Sequence, residues 1–304
     1  MALQAVTEAG SMWVHIAPLS SEDLEYLRRH FRFHPLDLED LTSKTEHPKL
    51  DIYDDYFFAV MHFPVYNTTH RFSAPCELHC FVGANYVVTV HDGRLKPVDD
   101  LFAECQRNPV LRQDVLGKGA GRLFYVILDR LVDYIFPMLG RVGGEISGIE
   151  EELFSADMGE LITRIAYLRR DIITLRSILQ PQKMVISHLE AERFPFLPAE
   201  MKAYFGDILD GFTRALDLVQ NYHEVIQSLS DTSMALTSYR INEVMRILTI
   251  ISVILLPLSL ISGIYGMNIA LPLADSPWAF LVILGWMALV AGIMLAFFRR
   301  RGWL

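Results

Sequence analysis

The residues of this chain whose types and spacing can do chemistry gather near the C-terminus. Asn242, Met245, Thr249, Ser252, Leu256, Ser259 and Gly263 follow one another at intervals of three or four, and Tyr265-Gly266-Met267-Asn268 comes directly after them. On a helix these positions form one stripe, drifting slowly as a 3.5-residue repeat does. No Lys, Arg, Asp or Glu lies on the stripe, so its donors are hydroxyls, amide oxygens and backbone carbonyls. Neutral oxygens of that kind suit a hard cation that keeps much of its water, as Mg²⁺ does. A small and polar stripe on a membrane helix faces protein or water rather than lipid. The residues alone leave open whether this one packs against another helix or lines a pore. Two helices cannot enclose an aqueous path, so a pore would require a ring of several copies.

The elements that must hold the stripe are membrane spans. From Ile247 to Phe298 there is one charged side chain, Asp275. Ile247–Tyr265 and Pro277–Phe298 each meet the length of about 20 apolar residues that a crossing helix needs. The side of the first span opposite the stripe, Ile247, Ile250, Ile251, Ile254, Leu258 and Ile261, is aliphatic and suited to lipid or to the second span. Arg240 and Arg246 precede the first span, and Arg299, Arg300 and Arg301 follow the second. By the positive-inside rule both chain ends lie in the cytoplasm of a cell whose inner (plasma) membrane the hairpin crosses. Met1–Gly10 has neither a basic nor an apolar leader region, so no signal peptide is expected. Cys76, Cys80 and Cys105 are then expected as free thiols in a reducing compartment. The first 246 residues carry 24 Lys and Arg against 35 Asp and Glu, a net charge of −11. That balance repels nucleic acid and attracts cations.

The rest of the chain reads as a mixed α/β region followed by long helices. Met12–Ala17, Tyr56–Val65, Cys76–Val82 and Tyr86–His91 are strand-like, and Gly83-Ala84-Asn85 is a hairpin turn between the last two. Ser20 with its following acids opens a helix, and Pro35 and Pro48 bracket a second short helical piece. From Gly121 the spacing turns helical and continues past Pro137 to Glu152, and a second long helix is expected from Met158 to Gln180. After the break Phe194-Pro195-Phe196-Leu197-Pro198, one long helix is expected to run from the soluble region into the first span.

The Tyr265-Gly266-Met267-Asn268 motif after the penultimate span, the hairpin C-terminus and the basic tail ending Gly302-Trp303-Leu304 resemble the CorA family of divalent-cation channels. The stretch Asn242-Glu243-Val244-Met245-Arg246-Ile247-Leu248-Thr249-Ile250, with Pro257 and Gly263-Ile264-Tyr265, is similar to the same family. The likeness covers the whole chain in architecture and about 239–268 in motif. It implies a homopentamer of CorA type. Its parts would be an α/β N-terminal cytoplasmic domain (1–120), a long-helix funnel and stalk (121–246) and a pore-lining transmembrane helix (247–265). An external loop (266–276), a second transmembrane helix (277–298) and a basic tail (299–304) would complete it. By position, the resemblance makes Gly266, Met267 and Asn268 the outer mouth, with a ring of Asn268 amides holding the hydrated ion. Asn242, Met245, Leu248, Thr249, Ser252, Leu256, Ser259 and Gly263 would line the pore, and Met245, Leu248 and Leu256 would form the constriction that closes by dewetting. The family's regulatory Mg²⁺ sites fall on Asp207 and, from the neighbouring subunit, on Asp40 with Glu39.

The implied function is Mg²⁺ uptake, with Co²⁺ or Ni²⁺ as further ions, gated by internal Mg²⁺. The family's magnesium branch often carries an acidic Met-Pro-Glu-Leu loop after the tripeptide, whereas Ile269–Asp275 here holds a single acid. A zinc-transporting branch resembling ZntB also lacks that loop, so a Zn²⁺ carrier of the same fold stands as the alternative, while the retained Met267 favours the magnesium branch. A membrane-anchored scaffold or sensor is the reading from a different class. Gly117-Lys118-Gly119-Ala120-Gly121 lacks the full phosphate-loop pattern and reads as a linker, so no ATP site is expected. Cys76-x-x-His79-Cys80 does not have zinc-site spacing and reads as buried thiols, and His30 and His34 fall at a loop end. No nucleophile–base constellation presents itself, and no enzymatic activity is expected.

Overall fold

The computed structural model describes residues 3–43, 47–67, 72–154, 157–267 and 278–303. Its elements in chain order are β1 (Leu3–Glu8), β2 (Ser11–Ile16), α1 (Ser21–His30), α2 (Pro35–Asp40), β3 (Lys49–Ile52), β4 (Tyr56–Asn67), β5 (Phe72–Gly83) and β6 (Tyr86–His91). There follow α3 (Lys96–Arg107), α4 (Pro109–Val115), α5 (Ala120–Glu152), α6 (Met158–Ala191), α7 (Met201–Tyr265) and α8 (Ala279–Arg300). The chain divides into two compact units, Met1–Ser230 and Asp231–Leu304, and α7 contributes to both.

The first unit is built on a six-stranded mixed sheet in the order β1-β2-β6-β5-β4-β3. Only the β2–β6 pair is parallel; the other four pairings are antiparallel. Alternation along each strand sends successive side chains to opposite faces. One face gives Val14, Ile16, Phe58, Val60, Phe81, Val88 and Val90 to a core closed by Leu27 of α1 and Leu38 of α2. On the other, Trp13 meets Phe102 of α3 edge-on at 4.9 Å and Phe57 meets Phe124 of α5 at 5.3 Å. α1 starts where the sequence places it: the Asp23 amide donates to Ser20 Oγ at 3.2 Å, and the Ser20 amide donates to the Asp23 carboxylate at 3.1 Å.

Three differences from the sequence reading have physical reasons. α6 does not stop at Gln180 but runs through Pro181 to Ala191. A proline inside a helix costs about 3 kcal/mol, and burial of Ile178, Leu179, Val185 and Ile186 around it, with fully buried Gln182 donating to the His62 carbonyl, outweighs that loss. β1 and β3 are edge strands whose side chains are half-exposed, so they lack an apolar signature and exist through pairing with β2 and β4. α3 and α4, for which no helix was expected from the sequence, begin at Lys96-Pro97 and at Pro109, with the prolines in first-turn positions where the missing N–H costs nothing.

Two polar clusters tie the layers of this unit together. Asp171 of α6, 2 % exposed, accepts the Ser73 amide at 2.6 Å and Arg141 Nη2 at 2.9 Å. The Arg141 guanidinium also lies over the Tyr66 ring, 3.6 Å from its centroid. The second cluster joins β2, β6 and α3. Trp13 Nε1 donates to Thr89 Oγ1 at 2.9 Å, Thr89 Oγ1 is 3.0 Å from His15 Nδ1, and His15 Nε2 is 3.0 Å from Asp99 Oδ1. His91 Nε2 approaches the same oxygen at 3.2 Å, too obliquely for a full hydrogen bond, while the Gly93 amide donates to His91 Nδ1 at 3.0 Å. The Gly93 contact puts the His91 proton on Nε2, and the same tautomer in His15 lets Thr89 donate to Nδ1. Burial keeps both rings neutral, lowering the His15 pKa and pulling that of His91 down to about 4.

The second unit holds the C-terminal part of α7 and all of α8. Each helix carries an 18-residue stretch of mean hydropathy 2.5 that the chain leaves almost wholly uncovered, and each is long and apolar enough to cross a membrane.

Asp171→Ala leaves the Ser73 amide without its acceptor and takes from Arg141 one of its two carboxylates, the other being Glu145, a loss of about 3 kcal/mol. The thermal midpoint of the purified protein is expected to fall by roughly 5–10 °C; an unchanged midpoint would remove the cluster's structural role. The histidine pair sets a pH dependence. An unfolded histidine takes its proton near 6.5, whereas folded His91 resists it until about 4, so the unfolded chain binds more protons and stability falls as pH drops through that window. Denaturation midpoints measured from pH 7 to 4 should show a shallower slope in His91→Gln than in the parent.

Candidate ion path and acidic sites

Within the second unit, α7 presents two distinct sides. The chain buries Ile250 and partly covers Ile254, Pro257, Leu258 and Ile261, which recur every three or four residues. Roughly opposite on the helix lie Asn242, Met245, Leu248, Thr249, Ser252, Leu256, Ser259 and Gly263, all exposed in the single chain. Met245 is 54 %, Leu248 56 % and Leu256 70 % exposed, values no soluble surface would sustain over such a length. The Thr249 hydroxyl donates to the Met245 carbonyl at 2.7 Å, which directs its lone pairs away from the helix.

At the end of α7 the Gly266 amide donates to the Ser262 carbonyl at 3.0 Å and the Met267 amide to Ile264 at 3.2 Å. A Cβ at Gly266 would sit 3.2 Å from the Ser262 carbonyl oxygen, so the tight exit from the helix favours glycine. Gly266 and Met267 are exposed there. Asn268 and the remainder of the 266–276 loop lie outside the described residues. α8 continues two residues beyond the apolar run to Arg300, and its end is folded over by Trp303, whose ring stacks on Phe298 at 5.7 Å.

The acidic candidates fall on the first unit. Asp207, exposed on α7, accepts the Tyr125 hydroxyl at 2.9 Å. Burial and that hydrogen bond push the Tyr125 phenol up to about 12. The Arg122 guanidinium covers the Tyr125 and Tyr204 rings at 4.9 and 5.1 Å. Asp129 on α5 has its pKa raised by burial first, then by Asp133 and Asp207. Asp129 and Asp133 escaped the sequence reading, although Tyr125-x-x-x-Asp129-x-x-x-Asp133 has the four-residue spacing that lines up one helix face. Asp40 at the end of α2 is held at 2.6 Å by Lys49 Nζ, which also binds Asp51 at 2.6 Å. Glu39 is exposed beside it. Asp207 thus keeps spare acceptor capacity, whereas Asp40 already faces an ammonium group.

The thiols are free and buried, as the strand spacing implied; burial pushes Cys76 up to about 12 and Cys105 to about 11. Neither is an activated nucleophile. Gly119 has φ +100 and precedes α5 as a connector.

The chain matches the family model described as CorA-like Mg²⁺ transporter protein over residues 8–300. It is 32 % identical over 310 residues to YfjQ of Bacillus subtilis, spanning 99 % of this chain and 93 % of that protein. It is 29 % identical over 295 residues to the cobalt/magnesium transport protein CorA of Thermotoga maritima, spanning 96 % of this chain and 83 % of that one. The complete structure of the CorA magnesium transporter from Methanocaldococcus jannaschii shares the fold with a TM-score of 0.84 at 23 % identity, covering 98 % of this chain and 93 % of that chain. With an α/β soluble unit, one long helix, two apolar C-terminal helices and a family match along nearly its full length, the chain belongs to the CorA-like Mg²⁺ transporter family and is a divalent metal cation transporter of the membrane, not an enzyme.

Proposed function

We propose that this chain forms a homopentameric channel for hydrated Mg²⁺, able also to pass Co²⁺ or Ni²⁺. The observation that carries the reading is the uncovered neutral stripe of α7 opposite the side its own chain covers. An uncharged polar stripe left open by one chain needs water or further copies against it. Five such helices in a ring satisfy both needs. Asn242, Thr249, Ser252, Ser259 and Gly263 then offer oxygens to a hydrated ion, and Met245, Leu248 and Leu256 form hydrophobic rings that close by losing water. Gly266, Met267 and Asn268 make the outer mouth. Arg299–Arg301 hold both chain ends on the cytoplasmic side. The membrane potential supplies about 2.3 kcal/mol per charge per 100 mV, twice that for a divalent ion, so inward flux needs no ATP or proton.

Closure by internal Mg²⁺ follows from the acids. Asp207, with Asp129 one turn-face away, supplies carboxylates to an ion shared with Asp40 and Glu39 of the neighbouring subunit. The ion must displace Lys49 from Asp40, so binding needs a high Mg²⁺ level and reports one.

Ion flux into proteoliposomes tests the transport reading. Mg²⁺ uptake driven by potential alone is expected, and Asn268→Ala should abolish it. Proton-stimulated Zn²⁺ uptake without Mg²⁺ flux would establish the zinc carrier instead, and full activity of Asn268→Ala would leave only an anchor. For regulation, Asp207→Ala is expected to need several-fold more internal Mg²⁺ to close. Inhibition identical to the parent's at every Mg²⁺ level would remove Asp207 from the sensor.

A further inference from the structure

The soluble unit contains a cleft of about 920 Å³ with residues of β4, β5, β6 and α6 in its lining. Leu19, Leu41, Val90, Ile178 and Pro181 give it an apolar wall. With histidines counted as neutral, its charged residues are Glu77, Asp92 and Arg94. Arg94 is taken up by Asp92, whose carboxylate lies 2.6 Å from Nη2 and accepts Nε–H at 2.7 Å. The charge left over is the negative one of Glu77, which repels an anion and attracts a cation.

Glu77 and His79 are two residues apart on β5, so their side chains stand on one face of the sheet. His79 Nε2 lies 3.8 Å from Glu77 Oε2, beyond hydrogen-bond reach. The His79 side chain is 6 % exposed, and its Nε2 has no hydrogen-bond partner among the described residues. Burial holds the ring neutral, with a pKa of about 4, against a hydrogen bond to the Val90 backbone that favours the protonated ring. A bond that favours protonation is one the ring donates, here from Nδ1, so the lone pair of the neutral imidazole is on Nε2. A buried acceptor thus stands unmet beside a carboxylate, a costly arrangement unless something donates to both. A nitrogen about 2.9 Å from each acceptor bridges a separation of roughly 4–5 Å, close to that between His79 and Glu77. A carboxylate has about four acceptor positions, so Glu77 can take such a donor beside the partners it already has. A water molecule fills about 30 Å³, a small part of this cleft, and gains nothing from its apolar wall.

We propose that this cleft binds a primary aliphatic amine, whose ammonium group donates to His79 Nε2 and to the Glu77 carboxylate. The hydrocarbon chain of the amine lies along Leu19, Leu41 and Ile178. An apolar cleft with a few convergent polar groups is the usual form of a small-molecule site, and here the polar groups accept rather than donate. The site goes beyond the transport reading, and its test reads binding rather than flux.

The test titrates the full-length protein calorimetrically with 1,4-diaminobutane, under an excess of Mg²⁺ that occupies exposed carboxylates. One diamine per chain is expected, with butane-1,4-diol binding at least tenfold more weakly. His79→Leu leaves the formal charge of the chain unchanged, so a general attraction of amines to an acidic surface would survive it, whereas binding at the cleft should fall at least tenfold. Absence of saturable diamine binding in the unsubstituted protein overturns the proposal without recourse to any variant. So does equal binding of the diol, or full retention of diamine binding in His79→Leu. If that variant fails to fold, Glu77→Gln serves in its place, with the same loss expected and the same retention counting against the site. Diamine binding in a chain that passes no Mg²⁺ would uphold the site and count against the channel alone.

Discussion

Charge is the constraint on which the structure depends. An ion or an ionised side chain in hydrocarbon is penalised so strongly that membrane segments carry few of them, and the stretch from Ile247 to Phe298 holds one. In the proposed channel, recognition of a cation there falls to neutral oxygens arranged along one side of α7. The side chains on the other side are aliphatic, and several of them are covered by the chain itself. The same helix begins in the acidic unit, where carboxylates are affordable because water and cationic partners surround them. The proposed ion path and the proposed sensor thereby fall on opposite ends of one continuous element.

Carboxylates in the soluble unit are not equivalent, and their surroundings decide what each can do. Asp171 is buried and saturated by Arg141 and the Ser73 amide, a joint between α6, α5 and β5. Asp99 accepts the His15 Nε2–H, stands beside His91, and fastens α3 to the sheet. Asp207, by contrast, is exposed and meets a phenol, with Asp129 and Asp133 adding negative potential nearby. Like charges left close together without a cation among them lower their own stability, and a divalent ion relieves that repulsion. Asp40 sits between these extremes, exposed in part but neutralised by Lys49.

How much could be read from the chain follows from how local each signal is. The capping box at Ser20, the strands β4, β5 and β6, the helix past Pro137 and the start of α7 were legible, because apolar spacing and turn chemistry act within a few residues. β1 and β3 were not, since an edge strand with polar side chains owes its existence to a neighbour distant in sequence. α6 crossing Pro181 shows the same limit from the other direction: packing on the sheet overrides a local breaker.

The sequence by itself determined the apolar length of the two spans, the stripe from Asn242 to Gly263, the motif after it and the distribution of charge, because composition and period need no tertiary information. Tertiary structure alone decided which acids and histidines stand together. Tyr125 reaches Asp207 across 82 positions, and His15 reaches Asp99 across 84. His62 meets Glu77 through strand register. Such meetings depend on where packed elements bring their side chains, and no spacing along the chain encodes a distance of that kind.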